Sequence, residues 1–252
     1  MAKQEASIEV VEISTNRVDF CILGRTPLIL NRMSEKAKYE LLFPKGRKTA
    51  AQKATSLKHE PLKEFRSAPY TIPDESAPTL LAHLATAFKN ALRGAGVDVP
   101  GATKAQLGRL LWVEGEKVSI YGTPKLFMSV TRSADMNRTP DIRTRVIVPQ
   151  WGCRLSISFV KPQLTMKTVA NLLAAGGLIQ GVGDWRPEKG SGSYGQFELV
   201  GEKDADFNRV LKMGRADQQH AMDHPECYDQ ETEDLLAWFY DEAGRRGIEM
   251  VK

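Results

Sequence analysis

Gly176-Gly177-Leu178-Ile179-Gln180-Gly181-Val182-Gly183-Asp184-Trp185-Arg186-Pro187-Glu188-Lys189-Gly190-Ser191-Gly192-Ser193-Tyr194-Gly195-Gln196-Phe197 is the stretch on which the fold turns. Before it, Thr165 is placed to cap a helix over 166–175, which Gly176-Gly177 would end. After it, Gln196 to Val200 reads as a final strand. Seven glycines allow positive φ and close backbone approach to a ligand. Successive N–H groups in such a loop can receive phosphate oxygens. Arg186 and Lys189 add charge, and Trp185 and Tyr194 offer rings on which bases stack. A flexible connector to an edge strand is the alternative. Gly181-Val182-Gly183 follows a helix and lacks the third glycine of a dinucleotide fingerprint. No Gly-Lys-Ser/Thr ending marks a triphosphate loop, so no cofactor is expected.

Working outward, residues 7–14, 17–23 and 26–30 read as extended. Ser34 is placed to cap a short helix over 35–42, and a second short helix is expected over 49–56. Pro78 opens a helix over 78–93 with the stripe Leu80, Leu81, Leu84, Ala85, Phe88, Ala91 and Leu92, stopped by Gly94 and Gly96. Thr103 caps a short helix to Leu111. Strands are expected at 117–121, 124–131, 146–148 and 153–160, with a protruding polar hairpin or loop at 132–145. Helices follow at 204–212 and over Glu231–Ala243, the latter with Leu235, Leu236, Trp238 and Phe239 on its apolar face. Without its insertions, the order is β-α-β-β-α-β, an α+β, ferredoxin-like (RRM-like) plan with both helices on one face of an antiparallel sheet.

Residues 1–200 hold 28 Lys/Arg and 18 Asp/Glu, whereas 201–252 hold 7 and 13. The basic excess is concentrated in 32–70 and 125–161. Such a layout suits a polyanion-binding body, residues 1–200, with an acidic helical extension, residues 201–252. Cys21, Cys153 and Cys227 form no CxxC, which argues against a disulfide-stapled fold. No apolar run reaches the roughly 18 residues of a membrane span, and the first residues lack a signal-like stretch, so a cytoplasmic protein is expected.

The early strand with Gly24-Arg25-Thr26-Pro27-Leu28, the helix at 78–93, the polar excursion at 132–145 and the late helix running into the Gly181–Gly195 loop resemble the RAMP superfamily. The nearest likeness is to the backbone subunits that line up along guide RNA in CRISPR effector complexes, over roughly residues 7–200. The resemblance implies a modified ferredoxin-like palm and a thumb hairpin at about 125–148. It further implies a variable insertion at 32–70 and subunits stacked in a helical filament on RNA. Other effector subunits become possible partners. The acidic 201–252 segment and the small size depart from the family pattern and suit a stand-alone or phage-encoded relative. A phage single-stranded-DNA-binding protein and a structural adaptor are the other binding roles.

The nucleic-acid-binding residues expected from the loop, the basic stretches and the resemblance are Arg25, Arg32, Lys45, Arg47, Lys48, Arg132, Arg138, Arg143, Arg145, Gly181, Gly183, Trp185, Arg186, Lys189, Gly190, Gly192 and Tyr194. Guanidinium groups give bidentate hydrogen bonds to phosphate, and Arg143 and Arg145 share a face if extended. Met128, Met136 and Ile142 are potential wedges against bases. No catalytic or metal-binding residue is assigned, and the chain is expected not to be an enzyme. The alternative, a metal-independent endoribonuclease, would centre on His59, with Asp135 or Asp141 in the thumb; His83 reads as a helix residue beside the apolar stripe. Asp217, His220, Asp223, His224 and Cys227 have ligand-like spacing, but Pro225 interrupts them and a second cysteine is missing.

Overall fold

The computed structural model describes residues 11–43, 58–98, 101, 103–132, 140–189 and 192–248. Lys45, Arg47, Lys48, Arg138, Gly190, Asp135, Met136 and the helix expected over 49–56 lie outside the described residues, as does most of the strand expected at 7–14. Residues 11–13 are not in a strand.

The central sheet is antiparallel, in the order β10 (Phe197–Val200), β1 (Ser14–Gly24), β9 (Gly152–Lys161), β5 (Leu111–Val113). Helix α3 (Ala85–Asp98) intervenes between β1 and β5, and α5 (Met166–Ala175) between β9 and β10. The result is a mixed α+β fold consistent with a ferredoxin-like palm. Alternation makes the layers: Cys153, Leu155, Ile157 and Phe159 of β9 are buried in the core, while Arg154 on the opposite face is exposed. Phe88 and Leu92 of α3 and Val169 and Leu173 of α5 join that core. The opposite face is partly covered by α6 (Ala205–Val210), whose buried Phe207 lies 5.5 Å beneath the Arg154 guanidinium.

One glycine signal misleads in the sequence. Helix α3 runs through Gly94 and Gly96, both buried, where a stop was expected. A Cβ on Gly94 would sit 2.2 Å from the Gln180 amide, so glycine there permits close approach. Gly in a helix costs about 1 kcal/mol. Fully buried side chains such as Phe88 and Leu92 each contribute about 1.5–3 kcal/mol, so packing wins. Helix α5 ends at Ala175 with Gly176 as its C-cap, as expected, and the chain runs on directly into a π-helical turn, Gly176–Gln180. The expected helix over 78–93 also starts late, because Leu81–Leu84 is a strand, β4.

β4 lies between β3 (Tyr70–Thr71) and β6 (Lys117–Ser119). A third sheet joins β2 (Leu28–Leu30), β8 (Pro140–Val148) and β7 (Lys125–Arg132), the last two forming the expected hairpin. Short helices α1 (Glu35–Leu42), α2 (Pro61–Ser67) and α4 (Lys104–Leu110) complete the body.

The acidic segment is built into this body. On α7 (Arg215–Asp223), fully buried Gln218 accepts hydrogen bonds from the Leu80 and Leu81 amides and donates to the Ile120 and Gly122 carbonyls. The next turn bridges the edge of β7: Leu126 N–H donates to Glu226 O, and Tyr228 N–H to Leu126 O, both at 2.8 Å. Asp229 then caps α8 (Gln230–Arg245), and the buried Thr232 hydroxyl accepts from Met128 N–H on β7.

Candidate nucleic-acid interface

The glycine-rich segment is closely folded against residues 25–30. Val182 N–H donates to Gly195 O, Asp184 N–H to Ile29 O and Gly195 N–H to Pro27 O. Trp185 N–H donates to the Asp184 carboxylate, and Gln196 N–H to Thr26 Oγ1. These amides are therefore engaged within the fold and are not open to a phosphate. Two glycines are required by geometry. Gly183 has φ +83°, and a Cβ there would lie 2.5 Å from Ile29 O. Gly195 has φ +69°, and its Cβ would lie 1.8 Å from Val182 O.

Arg145 is 2% exposed. Its Nε lies 2.9 Å from the Asp184 carboxylate, outside hydrogen-bond alignment, while Nη1 donates to Ser129 Oγ at 3.0 Å. Its guanidinium sits 4.5 Å above the Trp185 ring. Arg143 and Arg145 do share a strand face, but the glycine-rich segment covers the second and leaves Arg143 exposed. Trp185 and Tyr194 pack with Phe127 and Tyr228 around buried Ile29 and Ile147, so both rings are half-buried in a satellite core. Arg186 is turned inward as well, donating to Gly183 O and pairing with Glu188. Gly181 closes the π turn, and Gly192 backs onto Trp185. Lys189 is exposed.

Two clefts meet at Asn31, whose amide donates to Asp184. The first, of about 650 Å³, runs between α3 and the glycine-rich segment and is lined by Asn90, Arg93, Lys104, Arg186 and Lys189. The second, of about 690 Å³, runs from Asn31 along the hairpin base and is lined by Arg32, Lys58 and Arg143 interspersed with Glu40, Glu64 and Asp141. Arg32 Nε is buried without a hydrogen-bond partner among the described residues. Asn31, Lys58, Asn90, Arg93 and Lys104 were not among the expected site residues. A signal for three of them was present: Asn90 and Arg93 follow the polar side of the apolar stripe, and Lys104 follows the capping Thr103.

The other expected residues lie apart from these clefts. Arg25 is exposed at the end of β1 beside Gln150 and Arg209. Arg132 is exposed where the described part of β7 ends. Met128 is buried, which removes it as a base wedge.

Between the hairpin and α2, His59 Nδ1 meets Glu64 at 3.0 Å and Nε2 meets Asp141 at 3.0 Å, while Lys58 also pairs with Asp141. The Glu64 hydrogen bond, opposed by burial, raises the His59 pKa, with Asp141 adding to the rise. Burial works to raise Glu64 and Asp141, but their hydrogen bonds to His59, and to Lys58 for Asp141, bring both below their ordinary values. With both ring nitrogens facing carboxylates, His59 suits a doubly protonated clamp better than a general base. His83 stands in β4, not in a helix; burial, then the Arg186 charge, lowers it to about 4. His220 stacks on His224 at 4.7 Å, and Cys227 bridges to Leu126. Among the described residues no cluster of three His, Cys, Asp or Glu is arranged to hold a metal ion, and no helix is long and apolar enough to cross a membrane.

No family model and no curated protein matches the chain. Two solved structures are similar to it. One is the type III-B Cmr-beta structure bound to cognate target RNA, with 16% identity and a TM-score of 0.40 over 74% of this chain. The chain spans 59% of the length of that protein. The other is Cmr6 from Pyrococcus furiosus, with 8% identity and a TM-score of 0.38 over 74% of this chain and 98% of that one.

Proposed function

We propose that this protein binds single-stranded nucleic acid, largely without sequence preference and without cutting it, in the two clefts that meet at Asn31. The observation that carries this proposal is their shared wall: Arg93, Lys104 and Lys189 on one side of Asn31, Arg32, Lys58 and Arg143 on the other. A phosphate beside Arg32 would supply the partner that its buried Nε lacks among the described residues. Phosphate contacts position a strand but carry no sequence information. RNA is favoured over DNA through the sequence resemblance to guide-binding RAMP subunits, which also supports a repeating subunit of a ribonucleoprotein filament or effector backbone. The engagement of both His59 nitrogens supports holding over cleavage.

Fluorescence anisotropy with labelled RNA and DNA strands tests this proposal. Affinity falls steeply with salt, with a log–log slope of about −0.7 per phosphate contact. Paired reversals Arg93→Glu and Lys104→Glu, or Arg32→Glu and Arg143→Glu, weaken binding and flatten the slope, while Arg17→Glu on the opposite sheet face does not. The RNA remains intact after prolonged incubation. Salt-independent affinity, wild-type binding by both paired variants, or strand scission that His59→Ala abolishes would overturn the proposal.

A further inference from the structure

The first cleft has an inner wall that phosphate contacts leave unused. His83 on β4 lines it beside Tyr70, Leu84, Ala87 and Val182. Two rings flank the imidazole, with centroids 6.4 Å away for Tyr70 and 6.1 Å for Phe88. Its Nδ1 is buried and has no hydrogen-bond partner among the described residues. A buried polar atom left unpaired is costly, so such atoms are nearly always matched by protein, water or a ligand. Burial, then the Arg186 charge, brings the His83 pKa down to about 4. The ring is therefore neutral at pH 7, with one N–H donor and one acceptor nitrogen.

The charges around the cleft divide it into two parts. Lys104 and Lys189 are exposed at its rim, and Arg93 is half-buried. Asp184 and Glu188 also line the cleft, but each is engaged, Asp184 with Arg145 and Asn31, Glu188 with Arg186. A phosphate is held where the exposed ammonium groups reach it. A largely apolar wall with one neutral, hydrogen-bonding imidazole suits a flat, uncharged ring that carries donors and acceptors on its edge. That is the chemistry of a nucleobase. The cleft, at about 650 Å³, falls within the range of roughly 300–1,000 Å³ of small-ligand pockets.

We propose that the inner wall of the first cleft receives one base of the bound strand, with His83 as its hydrogen-bonding partner and the phosphates held at the rim. This rests on the nucleic-acid reading above and deepens it: the cleft senses that a base is present at one position of the strand. A free nucleotide carries the same chemistry, and the test separates the two sources.

The test compares, by fluorescence anisotropy on the full chain, a uridine RNA strand with a strand of equal length and charge whose sugars carry no base. The wild type binds the base-bearing strand about tenfold or more tighter. His83→Leu removes the hydrogen-bonding edge and reduces that preference to about twofold or less. Ala87→Phe, which narrows the same wall from α3, does so too, and circular dichroism confirms that each variant is folded. A preference that both variants retain overturns the proposal. Equal binding of the two strands by the wild type, with affinity still falling with salt, overturns it and leaves the nucleic-acid reading standing; binding of neither strand overturns both. In a second arm, the imidazole signal of His83, assigned with His83→Leu, is followed by NMR. The uridine strand shifts it, whereas a shift that adenosine or uridine monophosphate saturates at micromolar concentration assigns the wall to a free nucleotide and overturns the proposal.

Discussion

The guanidinium of Arg145 lies 4.5 Å above the indole of Trp185, and its Nε is 2.9 Å from the carboxylate of the preceding residue, Asp184. One strand arginine thus ties the glycine-rich segment to the hairpin through a stack and an ion pair together. Removing one partner of a fully buried pair costs about 3–5 kcal/mol. Asp184 reaches water, so Arg145→Ala is expected to cost about 2 kcal/mol, measured by urea denaturation. Arg145→Lys is not expected to restore it, because a point charge cannot serve Ser129, Asp184 and the ring at once.

The His59 cluster confers a pH dependence with a defined sign. The raised His59 pKa contributes stability that is complete below its ordinary value of 6.5 and is lost as pH rises through the folded value. Glu64 and Asp141 are lowered, so their contribution is present above 4.5 and 3.8 and is lost as pH falls through their folded values. The cluster therefore contributes most at roughly pH 5–6. The Tm difference between wild type and His59→Ala should peak there and shrink towards alkaline pH. A difference that grows with pH contradicts the clamp.

Glycine substitutions separate packing from flexibility. Gly195→Ala places a Cβ against Val182 O at positive φ and is expected to cost at least about 2 kcal/mol. Gly201→Ala meets nothing within 4 Å and serves as the neutral control in the same thermal melts.

Gln218 is expected to be the most sensitive polar side chain of the C-terminal segment. Gln218→Ala leaves two amides and two carbonyls without their partner, at a cost of about 3 kcal/mol or more. Gln218→Glu is worse above the carboxylate pKa, because an acceptor then faces the Ile120 and Gly122 carbonyls. Truncation after residue 200 should yield insoluble protein for the same reason, rather than a strand binder of higher affinity.

Much of the scaffold was legible because local chemistry decided it. Ser34, Thr103 and Thr165 cap α1, α4 and α5 as their spacing indicated, and the alternation of 153–160 identified β9. Gly94 reads as a stop because a glycine that ends a helix and one that admits a neighbour look the same in one dimension. A Cβ on Gly94 would meet the side chain of Gln180, a residue distant in sequence. Leu81–Leu84 read as helix because its apolar run continues into α3; pairing with β6 decides otherwise. In the interface, charge located the basic stretches but not their direction. Whether Arg143 or Arg145 faces outward depends on which of them the glycine-rich segment covers, and Asn31 acquires its place only where two clefts converge.

The bridge from Leu126 to residues 226–228, with the Met128–Thr232 hydrogen bond, joins the hairpin to α8 along consecutive residues. Helix α8 has sixteen residues and extends about 24 Å from that junction. The first turn of α8 is thus placed by the edge of β7, so the register of that strand sets where the helix begins.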